Sequence, residues 1–458
     1  MTRLSSPRAI IFAPACLGLL LLLPTRSWSQ ADTSASETDT SAVVDVAMQA
    51  PPPVSGVAYA TGFTSEMESN YLRGGMTITG AYSNNITGIE TSNPVGGASM
   101  SIWTMIELNK STSRGHYLVS YSPGYTFYPS MSALNQPNQN ATIDLQYRLS
   151  PNASASLRET FQQTSNILTQ PNPLSVTVVS GSAPSLSQAI APAVANQLSN
   201  SANAQLTYQL DATSMIGVDG TFGNLRFPNP AQATGLYNSN SAGGSVFYSR
   251  SLSDKYQFGA NYLYQSFESL PAGTQNSTNT HTQTQSVFLF LSINLKQTLS
   301  VSFSAGPQHI TSAQGVFAAS QSWSPLTMAS IGWQGGHTSF AASYARIVTA
   351  AGGLNGAYRS NSASASARWQ MARTWNTGIT ASYALYKQLT PLFVMASSGG
   401  NTLSATASVE HLLGEHLRAQ AGYSWARQNY TGTAAVSNLP NIDRAFVSIT
   451  YEFTRPLQ

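Results

Sequence analysis

The sequence predicts an all-β fold, a transmembrane antiparallel β-barrel of about 18 strands of the bacterial outer-membrane type. Segments of about ten to fourteen residues alternate apolar and polar side chains, and a transmembrane strand needs about 9–11 residues. The polar positions carry Ser, Thr, Gln, Asn and Gly rather than the Lys and Glu of a soluble surface. Short and long connections alternate along the chain, as they do at the two ends of such a barrel.

The composition separates this chain from ordinary soluble proteins. Only 9% of its 458 residues are charged, against roughly 25% in typical soluble domains, and the mean hydropathy is −0.11. The formal charge is +3, from 21 Lys and Arg against 18 Asp and Glu. These values argue against a cytosolic enzyme, a coiled coil and a nucleic-acid binder. A helical membrane protein is also disfavoured, because only one apolar run approaches the ~20 residues of a spanning helix.

That apolar run predicts a signal peptide over residues 1–29, as in a Gram-negative exported protein. Arg3 and Arg8 precede it, and small residues follow it at 27–29. Residues 30–70 are polar and predict a flexible periplasmic leader, and 71–458 would form the barrel. Removal of the signal peptide takes away three Arg and leaves a chain with no net charge. A neutral chain gives no reason to expect a nucleic-acid partner. Cys16 is the only cysteine and would leave with it, so disulfides and zinc–thiolate sites are excluded.

Period-two alternation predicts the strands one by one. The outward set of one strand is Val287, Leu289, Leu291 and Ile293, and other strands repeat the pattern. The predicted strands are 72–86, 97–110, 116–128, 140–150, 153–163, 201–211, 214–226, 243–252, 255–267, 283–295, 298–308, 325–334, 337–346, 361–371, 374–386, 402–412, 416–427 and 443–454. The first strand and 361–371 are the weakest, so 16 strands is the alternative. An even number places both termini in the periplasm, and aromatic residues near strand ends match interfacial girdles.

Eight long connections alternate with short turns. They are predicted at 129–139, 163–200, 227–243, 268–283, 309–324, 347–361, 387–401 and 428–442. The longest, 163–200, contains an apolar stretch and a helix-like stretch. A loop of this length is usually functional or disordered. Two interpretations are open: it folds into the lumen as a constriction, or it is an external cap or surface loop.

Several short motifs resemble the beta-barrel porin-2 type of outer-membrane proteins of Gram-negative bacteria. The motifs are Tyr121–Tyr125, Asn135, Tyr147–Pro151, Gly306–Gln308 and Phe453–Leu457. The resemblance covers roughly 72–457 and implies an outer-membrane barrel with a porin-like role. Some similar barrels are associated with exopolysaccharide export. One departure is that Phe453 is followed by five residues, whereas such chains often end at the aromatic residue that the barrel assembly machinery reads.

Strand parity places ten charged residues on the lumen side. They are Arg73, Glu107, Asp144, Arg148, Arg158, Asp219, Arg368, Glu410, Arg418 and Glu452. Five bases and five acids could create a transverse field that orients polar solutes. Alternatively, they pair as structural salt links in a filled lumen, and bulky inward residues such as Trp103 and Phe288 favour partial filling. The best local group is Asp144 and Arg148 on one strand with Arg158 on the next, which a tight turn at Ser150–Asn152 joins.

Motifs for catalysis and metal binding are missing from the sequence that follows the signal. It contains no G-x-S-x-G, its glycine clusters suit loop tips, and its six histidines fall mostly at strand ends. The segment from His411 to His416 has a spacing one residue away from a zinc motif and lies at a predicted turn. The sequence therefore predicts neither an enzyme nor a cofactor or metal site.

Barrels of 16–18 strands leave an aqueous channel. The leading hypothesis is therefore a porin-like channel in the cell outer membrane, passing polar solutes or a polysaccharide. The alternative is a closed structural or surface-interaction barrel that acts through its external loops. The expected partners are outer-membrane lipid, the solute and the barrel assembly machinery, and the oligomeric state stays open.

Overall fold

The strands form one sheet that closes on itself. The structure, a computed structural model, describes residues 70–87, 94–164, 195–229, 232–233, 235–272, 279–296, 298–315, 319–350, 353–389, 399–431 and 439–457. The predicted signal peptide and leader lie outside these residues. The strands are β1 Tyr71–Ser83, β2 Gly97–Ser111, β3 Gly115–Phe127, β4 Gln136–Ser150, β5 Ala153–Thr164, β6 Gln197–Gln209, β7 Ser214–Arg226, β8 Tyr237–Ser253, β9 Tyr256–Pro271, β10 Thr280–Lys296, β11 Leu299–Gln314, β12 Ser320–Gln334, β13 Thr338–Ala350, β14 Ala357–Ala372, β15 Trp375–Gln388, β16 Gly399–Leu412, β17 Leu417–Thr431 and β18 Leu439–Pro456.

Each strand pairs antiparallel with its neighbours in sequence, and β1 pairs with β18 to close the ring. The closing ladder runs from Tyr71 opposite Pro456 to Ser83 opposite Arg444. The prediction of an 18-strand antiparallel barrel is confirmed. A short 3-10 helix, Ser132–Leu134, lies between β3 and β4. Among the described residues, no helix has both the length and the apolar character needed to cross a membrane.

The outer surface is apolar. Alternate residues of the strands expose large hydrophobic side chains, which in water would be unfavourable over so large an area. Examples are Met76, Ile78, Ile102, Ile106, Leu206, Val218, Val246, Leu289, Ile331, Ile379, Val447 and Ile449. Trp333, Trp369 and Trp375 are exposed near the turns that join the strands, as in an interfacial girdle. A closed 18-strand barrel with this exterior is an outer-membrane barrel.

Several strands extend further than predicted at one end of the barrel. We term this end, which is the end of the barrel away from Tyr71 and Pro456, the outer end. β9 continues to Pro271 and β10 begins at Thr280, so the predicted connection 268–283 is too long. The connection 309–324 is similarly shortened, because β11 reaches Gln314 and β12 begins at Ser320. The additional strand residues at this end are polar but still paired across the ladder. The alternation of apolar and polar side chains in one sequence detects such residues poorly.

Aromatic residues lie over glycines on neighbouring strands. Five register pairs show this arrangement, which needs a glycine because a side chain would meet the ring. The pairs are Gly74 with Phe453, Gly124 with Trp103, Gly217 with Phe247, Gly259 with Phe290, and Gly422 with Phe446. The ring fills the space of the missing side chain and stabilises that register.

Replacing such a glycine should destabilise the barrel. In Gly217→Val the new side chain would overlap the Phe247 ring, and forced overpacking costs about 1–3 kcal/mol. Gly220 lies on the same strand, and a Cβ added there would meet no atom within 4 Å, so Gly220→Val is the matched control. Urea unfolding followed by tryptophan fluorescence should show a lower midpoint for Gly217→Val alone. Equal midpoints for the two variants would contradict the packing role of the pair.

Candidate functional site: a closed mouth above a polar lumen

The inner face of the barrel is mainly hydroxyl and amide. Its buried polar residues come from strands all around the ring. They include Thr79, Ser101, Asn138, Thr207, Ser245, Asn261, Thr282, Thr284, Ser286, Ser304, Gln308, Ser408, Gln420 and Ser448. Neighbouring hydroxyls bond across the strands, for example Thr282 Oγ1 to Ser312 Oγ at 2.9 Å. Such a surface offers weak donors and acceptors to a polar solute without a fixed charge.

The outer mouth is different, because apolar side chains fill it. We term this the mouth cluster; its residues are Ala195, Leu225, Phe227, Ala233, Leu236, Leu354, Tyr358, Ala384, Tyr386 and Tyr430. Tyr358, Tyr386 and Tyr430 come from β14, β15 and β17, whereas Leu225 belongs to β7 on the opposite side of the ring. Leu354 is 1% exposed. The mouth cluster therefore bridges the lumen at this level, from β14, β15 and β17 through loop residues to β7.

A hairpin folded into the lumen contributes to this closure. We term residues 347–358, described at 347–350 and 353–358, the inward hairpin. Lower on β13, Phe340 and Tyr344 point to the exterior, and Val348 continues their parity. Val348 nevertheless packs in a buried cluster with Phe267 and Ile310, which lie on the inner faces of β9 and β11. The outer end of β13 has therefore left the wall and lies inside the barrel.

Hydrogen bonds attach the tip of the inward hairpin to the rim formed by β8, β9 and β10. The Tyr237 amide donates to the Gly353 carbonyl at 2.8 Å, and the Gly356 amide donates to Ser269 Oγ at 3.2 Å. Thr280 Oγ1 donates to Asn355 Oδ1 at 2.8 Å. Gly356 has a φ of +87°, a conformation that glycine adopts without strain. These are a few polar contacts, of a kind that water could replace if the hairpin moved.

The ladder between β12 and β13 shows where the hairpin departs. Pairing runs from Gln334 opposite Ser339 to Thr327 opposite Arg346, and within the described residues 319–350 it does not continue beyond that point. Pro325 lies two residues further along β12 and has no amide hydrogen to donate to a neighbour. The sequence therefore marks the point at which β13 turns inward.

Four of the ten predicted lumen residues form one ion-pair network near the other end of the barrel. Arg73 Nε lies 2.7 Å from Glu452 Oε1, and its Nη1 is 3.9 Å from Glu107 Oε1. Arg418 Nη2 is 2.8 Å from Glu452 Oε2, and the Tyr71 hydroxyl donates to Glu107 at 3.0 Å. The Arg73 and Glu107 side chains are 4% and 2% exposed. The network spans β17, β18, β1 and β2, and favours structural pairing for these four residues.

The other six predicted residues are dispersed. Arg158 Nε lies 3.7 Å from Asp144 Oδ2, Asp219 accepts from the Ser245 hydroxyl, and Asn376 donates to Glu410 at 3.3 Å. Arg148 donates to the Pro151 carbonyl at 3.5 Å. Arg368 is in register with Ser339 and Gly378. The ten residues do not meet in one site, and their role towards a solute stays a prediction.

Sequence reasoning missed the residues that close the mouth. The predicted connections contain Leu354 and Phe227. Most loops lie on the surface, so apolar side chains in a connection indicate that it is buried. Sequence reasoning also missed Arg444, which is 6% exposed and shares the parity of Glu452 on β18. Of the connection predicted as a constriction, residues 165–194 lie outside the described residues. Ala195, which follows them, belongs to the mouth cluster.

Metal-ligating side chains do not cluster in the described part of the chain. No group of three or more His, Cys, Asp and Glu there could hold a metal ion. His411 stacks on Trp375 with ring centroids 4.2 Å apart, and His416 lies 6.0 Å from the Tyr451 ring. The two histidines thus contact different aromatic residues on the outer surface.

Comparison with known proteins gives only a structural likeness. No family model matches the sequence, and no curated protein matches it either. The FrpB iron transporter from Neisseria meningitidis (F3-3 variant) aligns at TM-score 0.40 and 10% identity, over 84% of this chain and 82% of that one. OccAB4 of Acinetobacter baumannii aligns at 0.39 and 10%, over 85% and 99%. The ferric-catecholate import receptor Fiu from E. coli K12 aligns at 0.39 and 7%, over 85% and 82%.

At this level of similarity, the substances that those proteins bind or transport cannot be assigned to this chain. The resemblance to the porin-2 type of barrel also stays a prediction, because no family model matches. The assignment to the outer membrane rests on the barrel itself, on its closure and on its apolar exterior.

The ion-pair network should contribute strongly to stability. Arg73→Met would leave Glu107 buried without its cation, whereas Glu452 would keep Arg418, and breaking a buried pair costs about 3–5 kcal/mol. Arg148→Met is the matched control, because Arg148 bonds a turn carbonyl. Urea titration of the refolded barrels should show a large loss for Arg73→Met and little change for Arg148→Met. A small loss in both variants would show that the network is solvated and weak.

Proposed function

We propose that this barrel is a channel for small polar solutes whose resting state is closed at the outer mouth by the inward hairpin. One observation carries the proposal. The lumen carries many hydroxyl and amide groups beside smaller apolar clusters such as that of Phe288 and Met328, and its largest apolar cluster lies at the outer mouth and is made partly by a loop tip. A barrel of 18 strands is wide enough for an aqueous channel once the mouth opens.

The lumen chemistry supports a neutral or zwitterionic solute. Ser, Thr, Asn and Gln can exchange hydrogen bonds with a passing solute at little net cost, because each bond replaces one with water. Acids and bases are balanced, and several are already paired with one another. A strong field that selects one sign of charge is therefore not expected.

The inward hairpin is suited to act as the gate. It is attached through its tip to the rim at Tyr237, Ser269 and Thr280, and through apolar contacts to the mouth cluster. Movement of residues 347–358 would break these contacts and would open the ladder between β14 and β15 only at its end, where Tyr358 pairs with Gln388. Active-site lids and gates commonly use elements with few backbone ladder bonds.

A second candidate follows from the same closure. If the hairpin never leaves the lumen, the protein is a closed barrel that acts through its external loops. Passage of a polysaccharide, contact with the barrel assembly machinery and the lack of enzymatic activity remain predictions of the sequence. Conductance measurements separate the open channel from the closed barrel.

The test is single-channel recording in planar bilayers. The chain from residue 30 onward contains no cysteine, so Thr280→Cys with Asn355→Cys would place one engineered pair across the contact between hairpin and rim. We expect rare openings in the unmodified protein and none in the oxidised double variant. Reduction of the disulfide should restore the openings, and each single cysteine variant is the control.

A second variant opens the mouth instead. Leu354→Ser combined with Tyr358→Ser removes apolar contacts of the hairpin and should raise the open probability at least tenfold. All proteins must first show the heat-dependent gel shift of a folded barrel. If the folded proteins, including this double variant, stay silent, the channel proposal fails and the closed barrel remains.

A further inference from the structure

We propose that the inward hairpin covers a binding site for a small uncharged polyol on the inner wall of β10 and β11. Thr284, Ser286 and Gln308 form this site, which we term the polar patch. The proposal rests on the hairpin movement proposed above, and it adds the class of solute and the side chains that recognise it. Each of the three side chains is at most 1% exposed, although the inner face of a barrel borders its lumen.

The polar patch makes no use of its hydrogen-bonding groups within the described part of the chain. Thr284 Oγ1, Ser286 Oγ and both amide atoms of Gln308, Nε2 and Oε1, are buried without a hydrogen-bond partner. Nearby on the same two strands, the hydroxyls of Thr282 and Ser312 bond to each other. A buried polar group without a partner loses its hydration for nothing in return. Four such atoms in one patch indicate that another molecule completes them.

The register places the three side chains next to one another. Ser286 is opposite Gln308, and Thr284 is the next inward-facing residue of β10 towards the outer end. Opposite residues on one face have Cβ atoms about 4.5–5.5 Å apart, and successive residues on one face of a strand are about 7 Å apart. One molecule of the size of a monosaccharide can therefore contact all four atoms.

The inward hairpin packs on both sides of the polar patch. Ile310, which is opposite Thr284, belongs to a buried cluster with Val348 of the hairpin. Phe288, on the other side of the patch, belongs to a cluster against which Ile347 of the hairpin packs. A solute can therefore reach the polar patch only after the hairpin has left the wall.

The four unpartnered atoms define what the solute must offer. Gln308 Nε2 only donates and Oε1 only accepts, whereas the hydroxyls of Thr284 and Ser286 do either. A carboxylate only accepts and would leave Oε1 without a donor, and an ammonium only donates and would leave Nε2 without an acceptor. Two neighbouring hydroxyls of a polyol supply one acceptor and one donor side by side. A cation is further disfavoured because the chain has no Asp or Glu between Glu268 and Glu410.

The test measures how often the hairpin leaves the wall. Val348→Cys places the only cysteine of the chain from residue 30 onward on the buried face of the hairpin. A water-soluble maleimide modifies this cysteine in the refolded protein only when the hairpin has moved, and mass spectrometry gives the rate. Millimolar glucose should raise the rate at least threefold and in a saturable manner, because binding to the uncovered wall holds the hairpin away from it. A solute that is only excluded from protein surfaces favours burial and should slow the modification.

Two further solutes separate a small polyol from the alternatives. Trimethylglycine has a carboxylate and no hydrogen-bond donor. High-molecular-weight dextran carries the hydroxyls of glucose on a polymer that is too large to reach the polar patch. Neither solute should raise the rate of modification.

Variants of the polar patch provide the matched comparison. In the Val348→Cys protein, Gln308→Leu should abolish the acceleration by glucose, and Ser286→Ala should reduce it at least twofold. Gln308→Leu should also lower the rate without glucose, because the closed state no longer buries an unpartnered amide. Gln420→Leu is the control, because Gln420 is a buried amide on β17 that accepts from the Ser448 hydroxyl, and it should leave the response to glucose unchanged. The heat-dependent gel shift verifies folding of each variant.

Three results would overturn the proposal. A rate that glucose does not raise would show that water alone completes the polar patch. An acceleration that persists in both Gln308→Leu and Ser286→Ala, or that dextran reproduces, would show that a small polyol does not act at this patch. No modification of Val348→Cys in any solution would show that the hairpin stays on the wall, and would remove the proposed gate as well.

The outcomes also distinguish this site from the channel. A response to glucose in a protein that stays silent in planar bilayers would remove the channel proposal alone. Channel openings in a protein whose modification rate ignores glucose would remove this site alone.

Discussion

Backbone hydrogen bonding in lipid is the constraint on which the rest of this structure depends. The membrane interior offers no water to an unpaired amide or carbonyl, and each such group costs several kcal/mol. A sheet of 18 strands satisfies this demand only by pairing its first strand with its last, which β1 and β18 do along their length. The apolar exterior, the polar interior and the balance of charge follow once the sheet is closed.

The inward turn of β13 is a local departure from that constraint. Because β13 leaves the wall, β12 has no neighbouring strand on that side beyond Thr327. Pro325 loses no hydrogen bond through its backbone nitrogen there, because proline has no amide hydrogen. The hairpin recovers interactions inside the lumen, where Val348 meets Phe267 and Ile310, and where the tip bonds the rim. Because these contacts are few and lie at the outer end, closure of the mouth and closure of the ring are energetically separate. In the function proposed above, this separation would let the hairpin act as a gate in a barrel whose ring stays closed.

The two ends of the lumen differ in chemistry for the same reason. Near the chain termini, Arg73 joins the carboxylates of β2 and β18 across the strands that close the ring. A buried cation between two carboxylates gives that seam a specific register as well as paired charges. At the outer end the contacts are apolar and involve loops, so they can reorganise without exposing a buried charge. The polar lumen between the two ends is the part suited to a solute.

The alternation of side chains by itself determined the fold class, the strand number to within two and the face of most strand residues. Period two along a strand is a local property, and closure in lipid leaves few alternatives once about 18 such segments are found. It was sufficient to place Arg73 and Glu452 on the same face, but not to show that they touch. Only the tertiary structure decided the mouth. The predicted strand ends at 346, but β13 continues to Ala350 and its parity would point Val348 to lipid. Val348 packs with Phe267 instead, because parity specifies the two faces of a strand and not whether the strand stays in the wall. That choice depends on contacts between β13 and strands that are not its neighbours in the ring, such as β9 and β11, which no local pattern encodes.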